Sequence, residues 1–172
     1  YKLPTIITNC SNNYGPYQST EKFIPLIINR AINLKDIPIY GDGLNIRDWL
    51  FVEDHCSALR LIIENGQIGE TYNIGGDNEK TNIEVAHIIC NLLDKLKPLE
   101  NDNKVQKYQE LITFIKDRPG HDRRYAINTK KLKKELNWYT KESFYSGIDK
   151  TVKWYLENHD WIKKFNEKIT LN

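Results

Sequence analysis

Short apolar runs alternate with longer stretches of helical period along this chain, and that alternation confines it to α/β architectures. Pro4 to Asn9 reads as a continuously apolar strand of the kind buried in parallel sheets. Residues 20–34 then place Ile24, Ile27, Ile28, Ala31 and Leu34 on one helical face, while Phe23, Leu26 and Ile32 make the helix apolar nearly all round. Such a helix is deeply buried or covers a partner, and an uncovered one invites self-association of the chain. Pro38 to Tyr40 and Ile46 to Val52 read as strands joined by Gly41-Asp42-Gly43, and Asp-Gly signals a hairpin. A helix over 53–65 follows, with Val52, Cys56, Leu59 and Ile63 in phase and Asn65-Gly66 suited to a left-handed cap. Thr71 to Ile74 is a strand halted by Gly75-Gly76. Thr81-x-x-Glu84 is a capping box opening a helix with the stripe Val85, Ile89, Leu92 and Leu96, which Pro98 stops. Beyond the polar stretch 99–110 come the strand Ile112–Ile115 and helices over 129–136 and 143–158. The last buries Phe144, Ile148, Val152 and Tyr155, and a polar tail carries Trp161 and Phe165.

Composition narrows the function classes. With 172 residues, 40% of them hydrophobic and 28% charged, the chain supports a core and a soluble surface. No apolar run approaches the ~20 residues of a membrane span. A net charge of +2 is too small for the dense basic face that nucleic acid requires. Lys130, Lys131, Lys133 and Lys134 read as the exposed side of a helix. Cys10, Cys56 and Cys90 have no zinc or redox spacing; Cys56 and Cys90 are expected as buried free thiols, consistent with a cytoplasmic protein. No metal-ligating cluster and no Gly-x-Gly-x-x-Gly is present. The chain has no methionine and opens on a strand-like run, as the downstream piece of a longer protein would.

Two loops carry the chemistry. Asp117-Arg118-Pro119-Gly120-His121-Asp122-Arg123-Arg124-Tyr125 sets three arginines around a Pro-Gly turn, directly after a strand. Planar guanidinium groups on such a turn suit a bidentate grip on phosphate, although a solvated charged turn has the same composition. Asn9 to Tyr17 follows the opening strand, where ligands bind in open α/β sheets, and asparagines offer both donor and acceptor to sugar hydroxyls. Arg47 lies on a strand beside Asp48 and Trp49; spacing alone leaves open an anion site or an Arg47–Asp48 pair. With Arg118 it would offer two cations to a diphosphate. Tyr40 suits either the face of a base or the core. His55, His87 and His159 read as structural or exposed, whereas His121 sits within the arginine loop.

These segments, in this order, resemble the C-terminal half of the dTDP-glucose 4,6-dehydratase family of extended short-chain dehydrogenase/reductases. The resemblance rests on Thr8-Asn9-Cys10-Ser11-Asn12-Asn13-Tyr14-Gly15-Pro16-Tyr17, Glu21 to Leu26, Pro38 to Gly41, Ile46-Arg47-Asp48-Trp49-Leu50, Val52 to His55, Glu70 to Gly76 and Asp117 to Tyr125. It implies an α/β fold in which residues 1–18 and 46–66 end a Rossmann-like NAD-binding domain. Residues 19–45 and 67–160 would then form a small nucleotide-sugar domain, with 161–172 a tail. It further implies oxidation at C4 of glucose, elimination of water across C5 and C6, and return of the hydride to C6 by tightly held NAD, in a homodimeric parent. By the same resemblance Asn12 touches the substrate and Asn13 lies on the NAD side. Lys22 and Phe23 line the sugar-nucleotide path, and Pro38, Ile39 and Tyr40 flank the thymine. Arg47 and Arg118 clamp the diphosphate, Asn82 contacts the nucleotide, and Asp117, Arg118, Pro119, Gly120 and His121 form a covering loop. The family's Tyr-x-x-x-Lys base and dehydration residues precede the matched region, so no catalytic residue is expected in this chain. A relative acting on a UDP-sugar, or a non-catalytic nucleotide-sugar-binding module, would share many of these features.

Overall fold

The computed structural model describes residues 3–100 and 104–170, with side chains through Phe165; residues 101–103 of the polar stretch lie outside it. β1 (Ile7–Cys10) pairs in parallel with β5 (Thr71–Ile74), Ile7 opposite Thr71 and Cys10 opposite Ile74. β2 (Asn12–Tyr14) follows after Ser11 and pairs in parallel with β4 (Ile46–Phe51). β4 also takes β6 (Glu79–Thr81) antiparallel and β8 (Arg124–Tyr125) parallel. β3 (Ile37–Tyr40) and β7 (Ile112–Ile115) form a separate parallel pair. The helices are α1 (Phe23–Ile32), α2 (Val52–Asn65), α3 (Asn82–Leu96), α4 (Lys130–Leu136), α5 (Phe144–Glu157) and α6 (His159–Thr170). This is the parallel α/β organisation expected from the alternation of elements.

β4 is the wall between two cores because successive strand residues face opposite ways. Trp49 and Phe51 pack with Ile24, Ile27 and Ile28 of α1, Val85, Ile89 and Leu93 of α3, and Ile148, Val152 and Tyr155 of α5. Leu50 packs instead with Ala58 and Ile62 of α2, Tyr72 and Ile74 of β5, and Leu132 and Trp138. Residues from both sides of position 67 share this second core. Pro25 is tolerated in the first turn of α1, where backbone N–H groups lack helical partners in any case. The chain's own helices cover α1, so of the two readings the buried one holds, with Leu34, beyond the end of the helix, left 43% exposed. Trp161 packs against Tyr17 and Trp154, and Phe165 stacks on Trp161 at 4.9 Å, so the tail docks.

Several local expectations are corrected. Gly41-Asp42-Gly43 does not close a hairpin: positive φ at both glycines turns the chain from one sheet into another, because Ile37 and Ile39 are drawn into the α1–α3 core. β1 is not buried; Ile7 is 58% exposed, since β5 is its single strand neighbour among the described residues. α2 buries Asp54, Ala58 and Ile62, leaving Ile63 81% exposed and Cys56 at the surface. It carries apolar residues on two faces, and the Leu50–Ile74 surface selects one. Gly66 ends α2 in an extended conformation, its N–H capping the Ile62 carbonyl at 2.7 Å. α3 buries Val85, Ala86, Ile89, Cys90 and Leu93 rather than Leu96, and burial pushes the Cys90 thiol up to about 12. The capping box forms as read: Thr81 N–H donates to Glu84 Oε2 at 2.7 Å, and Glu84 N–H to Thr81 Oγ1 at 3.3 Å. Among the described residues no helix is long and apolar enough to cross a membrane.

Candidate functional site

Residues separated by up to about a hundred positions meet around one open cavity of about 400 Å³. β2 contributes Asn12, the entry to α1 contributes Lys22 and Phe23, and the end of β3 contributes Tyr40. β4 supplies Arg47 and Trp49, the first turn of α3 supplies Asn82, and the arginine loop supplies Arg118 and His121. The sheet explains the first group. Arg47 and Trp49 are two apart on a strand and so share a face, and Asn12 stands directly opposite Trp49 in the parallel register. This volume lies within the range of small-ligand sites.

Asp48 points to the other side. Its carboxylate, 1% exposed, accepts from the N–H of Gly76 at 3.0 Å and of Asn78 at 2.8 Å, fastening the Gly75-Gly76 turn against β4. The Arg47–Asp48 pair left open by the sequence therefore does not form. Arg47 is held by backbone instead: Nη1 donates to the carbonyls of Ile46 at 2.7 Å and Asp122 at 3.0 Å. Burial holds its pKa below the usual arginine range, Asp122 opposing and Arg118 reinforcing the effect. A guanidinium remains cationic under any such shift. Neither Arg47 nor Arg118 enters an ion pair among the described residues. Two cations without carboxylate partners thus face the same hollow.

The three arginines of the loop divide their work. Arg123 donates through Nη1 to both oxygens of Asp42 at 2.9 and 3.0 Å, and Arg124 forks onto Glu79 with two bonds of 2.6 Å. These pairs staple the loop to the β3–β4 turn and to β6, leaving Arg118 directed to the cavity. Asp117 Oδ1 meets His121 Nδ1 at 2.7 Å and the Arg118 N–H at 2.8 Å, closing the Pro119-Gly120 turn, where Gly120 has φ +67°. The His121 hydrogen bond is the main cause holding the Asp117 carboxyl below its usual range. The His121 ring stands edge-on to Tyr40, centroids 6.3 Å apart.

Pro38 and Ile39 do not line the cavity; Ile39 is buried in the larger core, and Tyr40 alone of that trio reaches the cavity. Asp117, Pro119 and Gly120 shape the turn rather than the lining. Asn13 leaves β2 on the opposite face, beside a smaller hollow formed with Tyr14 to Gln18 and Val52. Its Oδ1 meets His55 Nδ1 at 2.8 Å and its Nδ2 donates to the Ser11 carbonyl at 3.0 Å. His55 is thus half-buried in a polar contact that helical placement could not reveal, and burial lowers its pKa. Trp49, Glu21 and Leu26 line the cavity although sequence reasoning passed over them. The two-residue step from Arg47 was the available signal for Trp49.

Parallel strands with helices packed over them and a cationic cavity at β2 and β4 define an α/β protein of the Rossmann-like, extended short-chain dehydrogenase/reductase class. Residues 1–151 match the GDP-mannose 4,6 dehydratase family, and the chain belongs to it. It is 58% identical over 161 residues to the dTDP-glucose 4,6-dehydratase of Neisseria meningitidis serogroup B, covering 94% of this chain and 45% of that protein. It is 57% identical over 162 residues to dTDP-glucose 4,6-dehydratase 1 of Escherichia coli K12, covering 94% and 44%. The crystal structure of dTDP-glucose 4,6-dehydratase from Bacillus anthracis in complex with NAD superposes with a TM-score of 0.83 at 50% identity, covering 96% of this chain and 49% of that one. The chain spans somewhat less than half the length of these relatives.

Proposed function

We propose that this chain is the substrate-binding half of an NAD-dependent dTDP-glucose 4,6-dehydratase, a lyase whose whole form converts dTDP-glucose to dTDP-4-keto-6-deoxyglucose and water. The observation that carries the reading is the pair Arg47 and Arg118, distant in sequence, unpaired with carboxylates, and lining one cavity. A diphosphate bears about two negative charges, and two guanidinium forks match it in charge and geometry. Tyr40 and Asn82 would hold the base and nucleoside, and Asn12 would face the sugar. His121 and Asp117 would keep the covering turn in place. Similarity to relatives of that name supports the same assignment.

The residues present do not form a dinucleotide site by themselves. Asn13, the position assigned to the NAD side, already engages both ends of its carboxamide, and the sequence holds no Gly-x-Gly-x-x-Gly. This chain binds the nucleotide sugar, and the base that starts the oxidation belongs to the other half of the parent enzyme.

Titration calorimetry of the chain with dTDP-glucose and UDP-glucose tests the assignment. Saturable one-to-one binding that favours dTDP-glucose is expected, with no turnover when NAD is added. Tighter binding of UDP-glucose would move the substrate to a UDP-sugar. Absence of binding to both would refute the reading.

A further inference from the structure

Two buried polar atoms beside the cavity lack hydrogen-bond partners, and their chemistry is complementary. Asn12 Oδ1 can only accept and Trp49 Nε1–H can only donate, yet neither is paired and both are shielded from solvent. Trp49 is 4% exposed overall. The two residues are register partners on neighbouring parallel strands, so their side chains leave the sheet on the same face, and both line the cavity. The indole is held in place: Phe23 stacks on it with centroids 6.0 Å apart, and Tyr14 meets it edge-on at 6.3 Å. Unpaired buried polar groups are uncommon in folded proteins and call for an explanation.

One group satisfies both atoms. A phosphate or carboxylate oxygen could accept from Trp49 but has no proton for Asn12. An ammonium could donate to Asn12 but cannot accept from Trp49. A hydroxyl does both at once, as a water molecule also does, and of the two only a hydroxyl can arrive attached to a ligand whose diphosphate Arg47 grips. We propose that the Trp49 indole N–H, acting with Asn12, binds a sugar hydroxyl and is a specificity-determining contact of this site. The inference rests on the nucleotide-sugar reading and deepens it. Arg47 lies two residues earlier on the same face of β4, about 6.6 Å along the strand, so a diphosphate gripped there leaves the attached hexose within reach of Trp49.

Trp49→Phe keeps an aromatic ring against Phe23 and Tyr14 while deleting the donor. Calorimetry of the unmodified chain and this variant with dTDP-glucose and with dTDP separates the contributions. Affinity for dTDP-glucose is expected to fall about 2- to 12-fold, the range of a neutral hydrogen bond, with affinity for dTDP unchanged. An equal loss for both ligands, or no loss for dTDP-glucose, overturns the proposal. If the unmodified chain binds neither ligand, the nucleotide-sugar reading itself fails, a result distinct from the first. If the variant does not fold, the unmodified chain is titrated with dTDP-sugars each lacking one hydroxyl. One of them must show the same loss, and uniform affinity across the series overturns the assignment.

Discussion

Deleting the Arg118 guanidinium isolates the clamp with little risk to the fold. Its head group enters no ion pair among the described residues and the residue is exposed, so Arg118→Ala should change stability by no more than about 0.5 kcal/mol. Bound to a diphosphate, the same group would make charge-assisted hydrogen bonds worth about 1.5–3 kcal/mol. At about 1.4 kcal/mol per decade, affinity for dTDP-glucose should drop roughly 10- to 150-fold. Because both arginines would grip one diphosphate, an Arg47→Ala, Arg118→Ala cycle should show a coupling of about 0.5–3 kcal/mol. Affinity of the unmodified chain should also weaken more steeply with salt than that of Arg118→Ala. Arg60, which pairs with Glu64 on the surface of α2, supplies the charge-matched control. Calorimetry showing unchanged affinity in Arg118→Ala, or the same loss in Arg60→Ala, would refute the clamp.

Two further outcomes follow from the geometry. A β-carbon at Gly76 would overlap the Trp49 carbonyl, so Gly76→Ala must push the turn away from β4 and break its bond to Asp48. A loss of about 2–4 kcal/mol in urea unfolding is expected, and a shift under 0.5 kcal/mol would contradict the packing. Hydrogen bonds from Arg123, Arg124 and His121 are the leading causes that hold Asp42, Glu79 and Asp117 below the usual carboxylate range. Folded-state pKa values are depressed here, so the stabilisation is complete above the unfolded carboxylate values and disappears as pH falls through the folded ones. Below about pH 4 the arginine loop should therefore loosen, read as faster exchange of the Ile46 N–H that donates to Arg123. Protection unaltered down to pH 2 would show that these pairs do not hold the loop.

The chain's local chemistry placed several of its elements, but not β2, β6, β8 or α6, which read as loops and tail. Thr81 and Glu84 cap each other within four residues, the stripe of Phe144, Ile148, Val152 and Tyr155 has one apolar face, and Thr71–Ile74 is bounded by glycines; each formed as read. These signals are short-ranged and here agree with the tertiary contacts, whereas the Asp-Gly turn signal at 41–43 was overridden by them. Arg47, Arg118, Asn12, Lys22, Phe23, Tyr40, Asn82 and His121 could be named as candidates from their types and from resemblance. Their meeting at one cavity could not be read from spacing. Three arginines in one loop are chemically alike, and what spared Arg118 was the position of Asp42 and Glu79, brought in from other elements to take Arg123 and Arg124. The rotation of α2, which exposed Cys56 and buried Ala58, was likewise chosen by the surface of Leu50 and Ile74. Sequence pattern carries a period; its phase, and the choice among like charges, is settled by whichever neighbour the folded chain presents.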